Sequence, residues 1–62
     1  MADPREVVYT LIPESSPEGV RGKPWKAERK PREYDWEPEG FGETPAKAEA
    51  DLYDGEWELY HG

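Results

Sequence analysis

The clearest hydrophobic pattern in the chain is the run EVVYTLI at residues 6–12. It is rich in β-branched and aromatic residues, and it is followed by Pro13, which cannot donate a ladder hydrogen bond. The run is too short and too β-branched for a helix. It predicts a β-strand over 6–12, and its residues form a candidate pairing edge: Val7, Val8, Tyr9, Thr10, Leu11 and Ile12.

A second alternating run, EWELYH, occupies residues 56–61. In a strand, Trp57 and Leu59 would share one face while Glu56 and Tyr60 would lie on the other. The alternation predicts a second strand. Paired with 6–12 it would form a two-stranded sheet, which is marginal alone and leaves open edges that a partner's sheet could extend.

The best helix pattern covers residues 45–53. Thr44 suits the N-cap, Pro45 the first helical position and Gly55 the C-terminal cap, and the alternating alanines between them raise helix propensity. A rival interpretation makes Asp54 and Gly55 a two-residue hairpin turn. We favour the helix.

Residues 13–43 form a Pro/Gly-rich segment. Prolines recur every seventh residue from Pro17 to Pro45, and this spacing forbids a long helix. Residues 25–32 allow one helical turn between two of the prolines, and residues 33–37 alternate aromatic and acidic side chains. We therefore expect mostly extended backbone here.

The apolar content is low for a folded domain. Val, Leu, Ile and Phe together number eight of the 62 residues, below the roughly 20% at which a charged chain is expected to be disordered. The chain has no separable domains. These observations predict a mostly irregular, extended chain with little regular structure: one or two short strands (6–12 and 56–61) and one short helix (45–53), weakly structured without a partner.

Charge is divided unevenly along the chain, whose net charge is −7. Residues 1–20 carry −3, residues 21–32 carry +5 and residues 33–62 carry −9. The overall acidity disfavours direct contact with nucleic acid and favours a basic protein surface. We interpret the basic segment as an internal counter-charge to its acidic flanks, rather than as a site for single-stranded nucleic acid.

Eight aromatic residues accompany only seven aliphatic ones. Tryptophan and tyrosine carry much of the binding energy in protein interfaces because they combine a large area with few rotatable bonds. Some will form the protein's own core, and others are available to a partner. The candidate partner-binding residues are Trp25, Tyr34, Trp36, Phe41, Trp57 and Tyr60.

The inventory of reactive groups argues against catalysis. There is no cysteine, the one histidine is His61, and Ser15 and Ser16 lie in a loop sequence distant from it. The GFGETP sequence lacks the lysine of a phosphate-binding loop. We expect no catalytic residues, no metal site and no cofactor. No apolar run is long enough to span a bilayer, and no signal-peptide pattern is visible, so we expect a cytoplasmic protein.

The function that fits best is a small acidic accessory subunit. It would bind along the surface of a larger protein or multi-subunit complex through extended backbone and aromatic anchors. The alternative is an acidic inhibitor of the phage or antitoxin type that occupies a basic surface, such as a nucleic-acid site. A third interpretation is an autonomous small domain. We expect no homo-oligomer.

Overall fold

The computed structural model describes residues 4–61, which form a three-stranded antiparallel sheet covered on one face by a helix. The elements are β1 (Glu6–Leu11), β2 (Trp25–Lys30), β3 (Gly40–Gly42) and α1 (Pro45–His61), and the strand order is β1-β2-β3. The expectation of a mostly irregular chain is therefore wrong. The first strand is present where the β-branched run predicts it, one residue shorter at its end.

The loop between β1 and β2 folds into a turn that brings the two strands into register. Val8 lies opposite Glu28, and beyond the ladder Ile12 N–H donates to the carbonyl of Pro24 at 2.7 Å. Gly22 has a φ of 77°, a left-handed conformation that glycine adopts without steric cost. Its N–H donates to the carboxylate of Glu14 at 2.8 Å. The Pro/Gly-rich sequence here is a defined connection within a sheet.

Residues 25–30 form the central strand, so the predicted helical turn over 25–32 is wrong. The alternation of the sequence WKAERK explains this result, because Trp25, Ala27 and Arg29 face the helix while Lys26 and Glu28 face the opposite side. A six-residue central strand with neighbours on both sides has more ladder hydrogen bonds than one helical turn can make. The 13–43 segment therefore holds all of β2 and all of β3.

β3 lies directly beneath α1. A Cβ at Gly40 would overlap backbone atoms of Ala48 and Leu52, and a Cβ at Gly42 would lie 2.7 Å from atoms of Lys47. The GFG sequence therefore allows a strand and a helix backbone to approach closely. The core at this contact consists of Ala27, Ala48 and Leu52, with Val7 and Trp25 partly buried against it.

The helix begins where its capping residues predict and continues eight residues beyond the predicted end. Thr44 Oγ1 accepts the N–H of Lys47 at 3.2 Å. Gly55 lies inside the helix, with Pro38 close to where its Cβ would be, instead of ending it. The predicted strand at 56–61 is wrong, and so is the hairpin turn at Asp54 and Gly55, because both segments are helical.

The sheet face opposite the helix is covered by ion pairs. Glu28 is only 5% exposed, and its carboxylate lies 3.7 Å from Lys26 and 3.2 Å from Lys30. Lys26 also pairs with Glu39 at 3.0 Å. Burial alone would lower the pKa of Lys26, but the hydrogen bond to Glu39 and the charges of nearby carboxylates outweigh it and raise that pKa. These pairs agree with the interpretation of the basic segment as an internal counter-charge.

Two arrangements allow the chain to fold with a small apolar core: the close packing of the helix on the strands, and the ion-paired face of the sheet. Glycine and alanine let the helix and the strands approach closely, and the buried Ala27, Ala48 and Leu52 fill the space. On the other face, the paired Lys26 side chain is only 12% exposed, so its aliphatic stem covers part of the sheet. A count of large apolar residues registers neither contribution, which is why the composition predicted disorder.

Candidate functional site: an aromatic-walled groove

One groove of about 180 Å³ opens on the helix side of the molecule. It lies between the 31–38 loop, the residue that precedes β1, the end of β2 and the last turns of α1. Polar side chains form its floor and aromatic side chains its walls. The residues that line it are Arg5, Arg29, Glu33, Tyr34, Trp36, Glu37, Pro38, Glu56 and Tyr60.

The 31–38 loop is held in place by a buried carboxylate. Glu37 is 7% exposed and accepts the backbone N–H groups of Glu33 at 3.0 Å and Tyr34 at 2.8 Å. It also forms an ion pair with Arg5 at 2.5 Å. Arg32 secures the same loop by donating to the carbonyls at positions 35 and 37, at 2.9 and 2.8 Å. The loop is thus closed by side chains, because it contains little regular backbone pairing.

The ionisation of Glu37 is shifted by these contacts. Burial of its carboxyl group favours the neutral form and raises the pKa. The hydrogen bonds from Arg5 and from the two loop N–H groups favour the anion, and together they bring the pKa of Glu37 below its ordinary value. The carboxylate is therefore charged at neutral pH and keeps the loop closed.

The loop presents two aromatic rings to solvent. Tyr34 and Trp36 stack with ring centroids 5.2 Å apart and an angle of 12° between their planes. Trp36 is 62% exposed, and Tyr34 is exposed as well. Tyr60, on the last turn of α1, is the most exposed aromatic side chain of the groove. Large aromatic faces held outward by a buried polar contact form a preorganised binding surface.

The opposite part of the floor is a second ion pair. Arg29 donates to both carboxylate oxygens of Glu56, at 2.8 and 3.1 Å, and to the backbone carbonyl of Arg5 at 2.9 Å. The guanidinium carbon of Arg29 also lies 5.8 Å from the ring centroid of Tyr53. This pair connects β2 to α1 and extends the surface from the groove towards Tyr53.

The structure brings together three of the six predicted partner-binding residues: Tyr34, Trp36 and Tyr60 line the groove. The other three lie elsewhere. Trp25 packs partly buried against the core, and Phe41 is half-buried in β3. Trp57 is 61% exposed but stacks on His61, with ring centroids 4.8 Å apart, and does not line the groove.

Sequence reasoning missed the polar residues of the groove: Arg5, Arg29, Glu37 and Glu56. Their partners are far away in the sequence: Arg5 and Glu37 are 32 positions apart, and Arg29 and Glu56 are 27 positions apart. No local spacing rule connects such residues, and a chain with 15 acidic residues offers many alternative pairings. The register of β1 on β2 sets Arg5 beside Arg29, and the 31–38 loop and α1 bring Glu37 and Glu56 to the same end of the sheet.

Five of the six residues of the predicted pairing edge lie in β1, and Ile12 follows the end of the strand. β1 pairs with β2 and not with 56–61. Val7 and Tyr9 lie on the helix side, where Val7 packs on the core and the Tyr9 hydroxyl donates to Glu49. Ile12 does not belong to the exposed edge, because it is 6% exposed and its N–H donates towards β2.

No family model, curated protein or solved structure matches this chain. Within residues 4–61, no helix has the length and apolarity needed to cross a membrane. The same residues contain no group of three or more histidine or acidic side chains arranged to hold a metal ion.

Proposed function

We propose that this protein is a small acidic accessory subunit that binds a larger protein or complex through the aromatic-walled groove. In contrast to the sequence-based expectation, the binding residues sit on a folded scaffold instead of an extended chain. A cytoplasmic location is part of the same proposal.

The observation that supports this most is the outward stack of Tyr34 and Trp36. Exposed aromatic rings are costly to hydrate, and a loop would normally fold them inwards or leave them mobile. Here the buried Glu37 accepts two N–H groups of the same loop and pairs with Arg5. Buried polar contacts thus keep the stack facing solvent, and a partner that covers it would meet a surface that is already ordered.

The charges around the groove favour a partner with basic residues. Glu33 and Asp35 are exposed on the same loop as the stack, and Glu58 is exposed near the end of α1. The two arginines of the floor are engaged by Glu37 and Glu56. Lysine or arginine side chains of a partner can therefore meet both aromatic faces and carboxylates at this site.

The test uses two tryptophans with nearly equal exposure. The protein is first used to capture a partner from cells of its source, and the partner is purified. Calorimetry then compares Trp36→Ala, at 62% exposure, with Trp57→Ala, at 61%. We expect Trp36→Ala to weaken binding by ~2–4 kcal/mol, because truncation of a central aromatic residue has that cost. We expect Trp57→Ala to change it by under ~1 kcal/mol. Equal effects of the two variants, or none, would contradict the assignment to the groove.

The same measurement distinguishes the acidic-inhibitor hypothesis. An inhibitor that replaces a polyanion would lose most of its affinity between low and physiological salt, and several single acid-to-alanine changes would each matter. An accessory subunit held by aromatic contacts would resist salt. Strong salt dependence together with an unaffected Trp36→Ala variant would favour the inhibitor.

A further inference from the structure

The two edge strands of the sheet differ in how well they are protected from pairing with a further strand. β3 has only three residues, and the N–H of Phe41 donates to the carboxylate of Asp51 on the helix at 2.9 Å. β1 has six residues and pairs only with β2 in the part of the chain that the structure describes. It contains no proline and no lysine, the residues that commonly protect an edge from further pairing.

The backbone groups on the outer edge of β1 can be assigned by alternation. The N–H of Ile12 points to β2, where it meets the carbonyl of Pro24 at 2.7 Å. In an antiparallel strand every second residue points the same way, so Thr10 and Val8 also face β2. The N–H and C=O groups of Val7, Tyr9 and Leu11 therefore point outwards, spaced by about 6.8 Å. Only another extended backbone matches this row of donors and acceptors.

The side chains beside that edge form a partly exposed apolar patch on the helix side. α1 lies mainly over β2 and β3, so the β1 side chains on the helix face are only partly covered. Tyr9 is 40% exposed and Leu11 60% exposed. Tyr53, on the side of the helix near β1, is exposed as well. An added strand would pair with the edge, and every second side chain of that strand would pack against this patch.

We propose that β1 receives an extended segment of the partner protein as a fourth, antiparallel strand. The segment has apolar residues on the helix side and basic residues on the other side, because Glu6 lies at the edge on the side opposite the helix and the protein carries a net charge of −7. A second copy of this chain would bring the same negative charge to the same edge, so charge complementarity selects a different, basic chain. This inference rests on the proposed function and specifies how the partner is held.

The test needs no identified partner. The probe is a capped heptapeptide in which valine alternates with lysine or threonine, titrated into the isotope-labelled protein to about 1 mM, a range that detects weak binding. We expect amide shifts and slowed exchange at Val7, Tyr9 and Leu11, with smaller changes at Val8 and Thr10. The same peptide with an N-methylated central valine keeps its side chains but loses a donor, and we expect about tenfold weaker binding.

Two proline variants test which N–H groups of β1 point outwards and which point towards β2. Leu11→Pro removes an outward N–H, so it should leave the fold intact and weaken peptide binding about tenfold. Thr10→Pro removes a bond to β2 and should unfold the sheet. Trp36→Ala should bind the peptide as the unchanged protein does, because Trp36 lies in the 31–38 loop and not in β1.

Several outcomes would overturn the inference. These are no shifts along β1, equal shifts at inward and outward positions, unchanged binding of the N-methylated peptide, or a dimer of this chain in sedimentation that β1 variants dissociate. With the natural partner, loss of binding in Trp36→Ala but not in Leu11→Pro would leave the proposed function standing and reject strand addition. The reverse pattern would support strand addition and reject the groove.

Discussion

The close contact between β3 and the helix predicts that Gly40→Ala is strongly destabilising. The added Cβ would overlap the Ala48 carbonyl oxygen and the Leu52 nitrogen, and would lie 2.8 Å from the Leu52 Cα. All three are backbone atoms, so no rotamer change relieves the overlap. Ordinary carbon contacts are ~3.5–4.0 Å, and the helix must therefore move by roughly 1 Å at its most buried residue.

The magnitude follows from that displacement. Overpacking of a close-packed contact costs ~1–3 kcal/mol, and moving Leu52 and Ala48 away from Ala27 loosens the rest of the apolar core. We expect a loss of about 2–4 kcal/mol. At ~0.05–0.15 kcal/mol per residue, a chain of this size has a total stability of about 3–9 kcal/mol. The melting temperature should fall by roughly 8–32 °C, at ~4–8 °C per kcal/mol.

The assay is thermal and urea unfolding followed by circular dichroism at the helical band. The matched control is Gly22→Asn, which adds a larger side chain to a glycine that has no other atom within 4 Å of its Cβ position. Asparagine tolerates the left-handed conformation of Gly22, so the control should cost under ~1 kcal/mol. If Gly40→Ala is within ~0.5 kcal/mol of the unchanged protein, the glycine does not set the distance between strand and helix.

Three further predictions concern the loop, the helix cap and the balance of binding energy. Because the folded-state pKa of Glu37 lies below its ordinary value of 4.5, its charge stabilises the fold above that pH, and the contribution is lost as pH falls through the lower folded value. Glu37→Gln should therefore be less stable at neutral pH, and its melting temperature should approach that of the unchanged protein on acidification. Plots of melting temperature against pH that run parallel for the two proteins would contradict this. Thr44→Ala removes the acceptor for the Lys47 N–H and should cost ~1 kcal/mol in urea unfolding, a loss that Thr44→Ser largely avoids. In the complex, Trp36→Ala should cost more than the change to alanine of any exposed acidic residue in 33–58, a set that leaves out the buried Glu37 and the half-buried Glu56, since exposed ion pairs contribute ~0–1 kcal/mol each; calorimetry that ranks an exposed acidic residue first would reverse the assignment.

Local sequence signals were sufficient for the first strand and for the start of the helix. β-branched residues followed by Pro13 favour a strand at 6–12 whatever surrounds it. Thr44 and Pro45 act through the first helical turn alone, by supplying an acceptor and a preset φ. The paired aromatics of the 33–37 segment were also visible as candidate binding residues. These features depend on neighbours within four positions, which is the range that the sequence pattern reports.

The remaining features depend on contacts between distant residues. Residues 25–30 become a strand because β1 and β3 flank them. The helix continues through Gly55, although a glycine there is typical of a helix end, because the following residue, Glu56, pairs with Arg29 of the sheet. The groove exists because the register of β1 on β2 sets Arg5 beside Arg29, and the 31–38 loop and α1 then bring Glu37 and Glu56 to these arginines. In the sequence, the glycines of β3 resemble those of a turn. In the fold, they are required because a side chain at either position would overlap the helix. Propensity describes what a segment prefers alone, whereas ladder hydrogen bonds, close backbone packing and ion pairs form only once the whole chain has assembled, and here they decided the outcome.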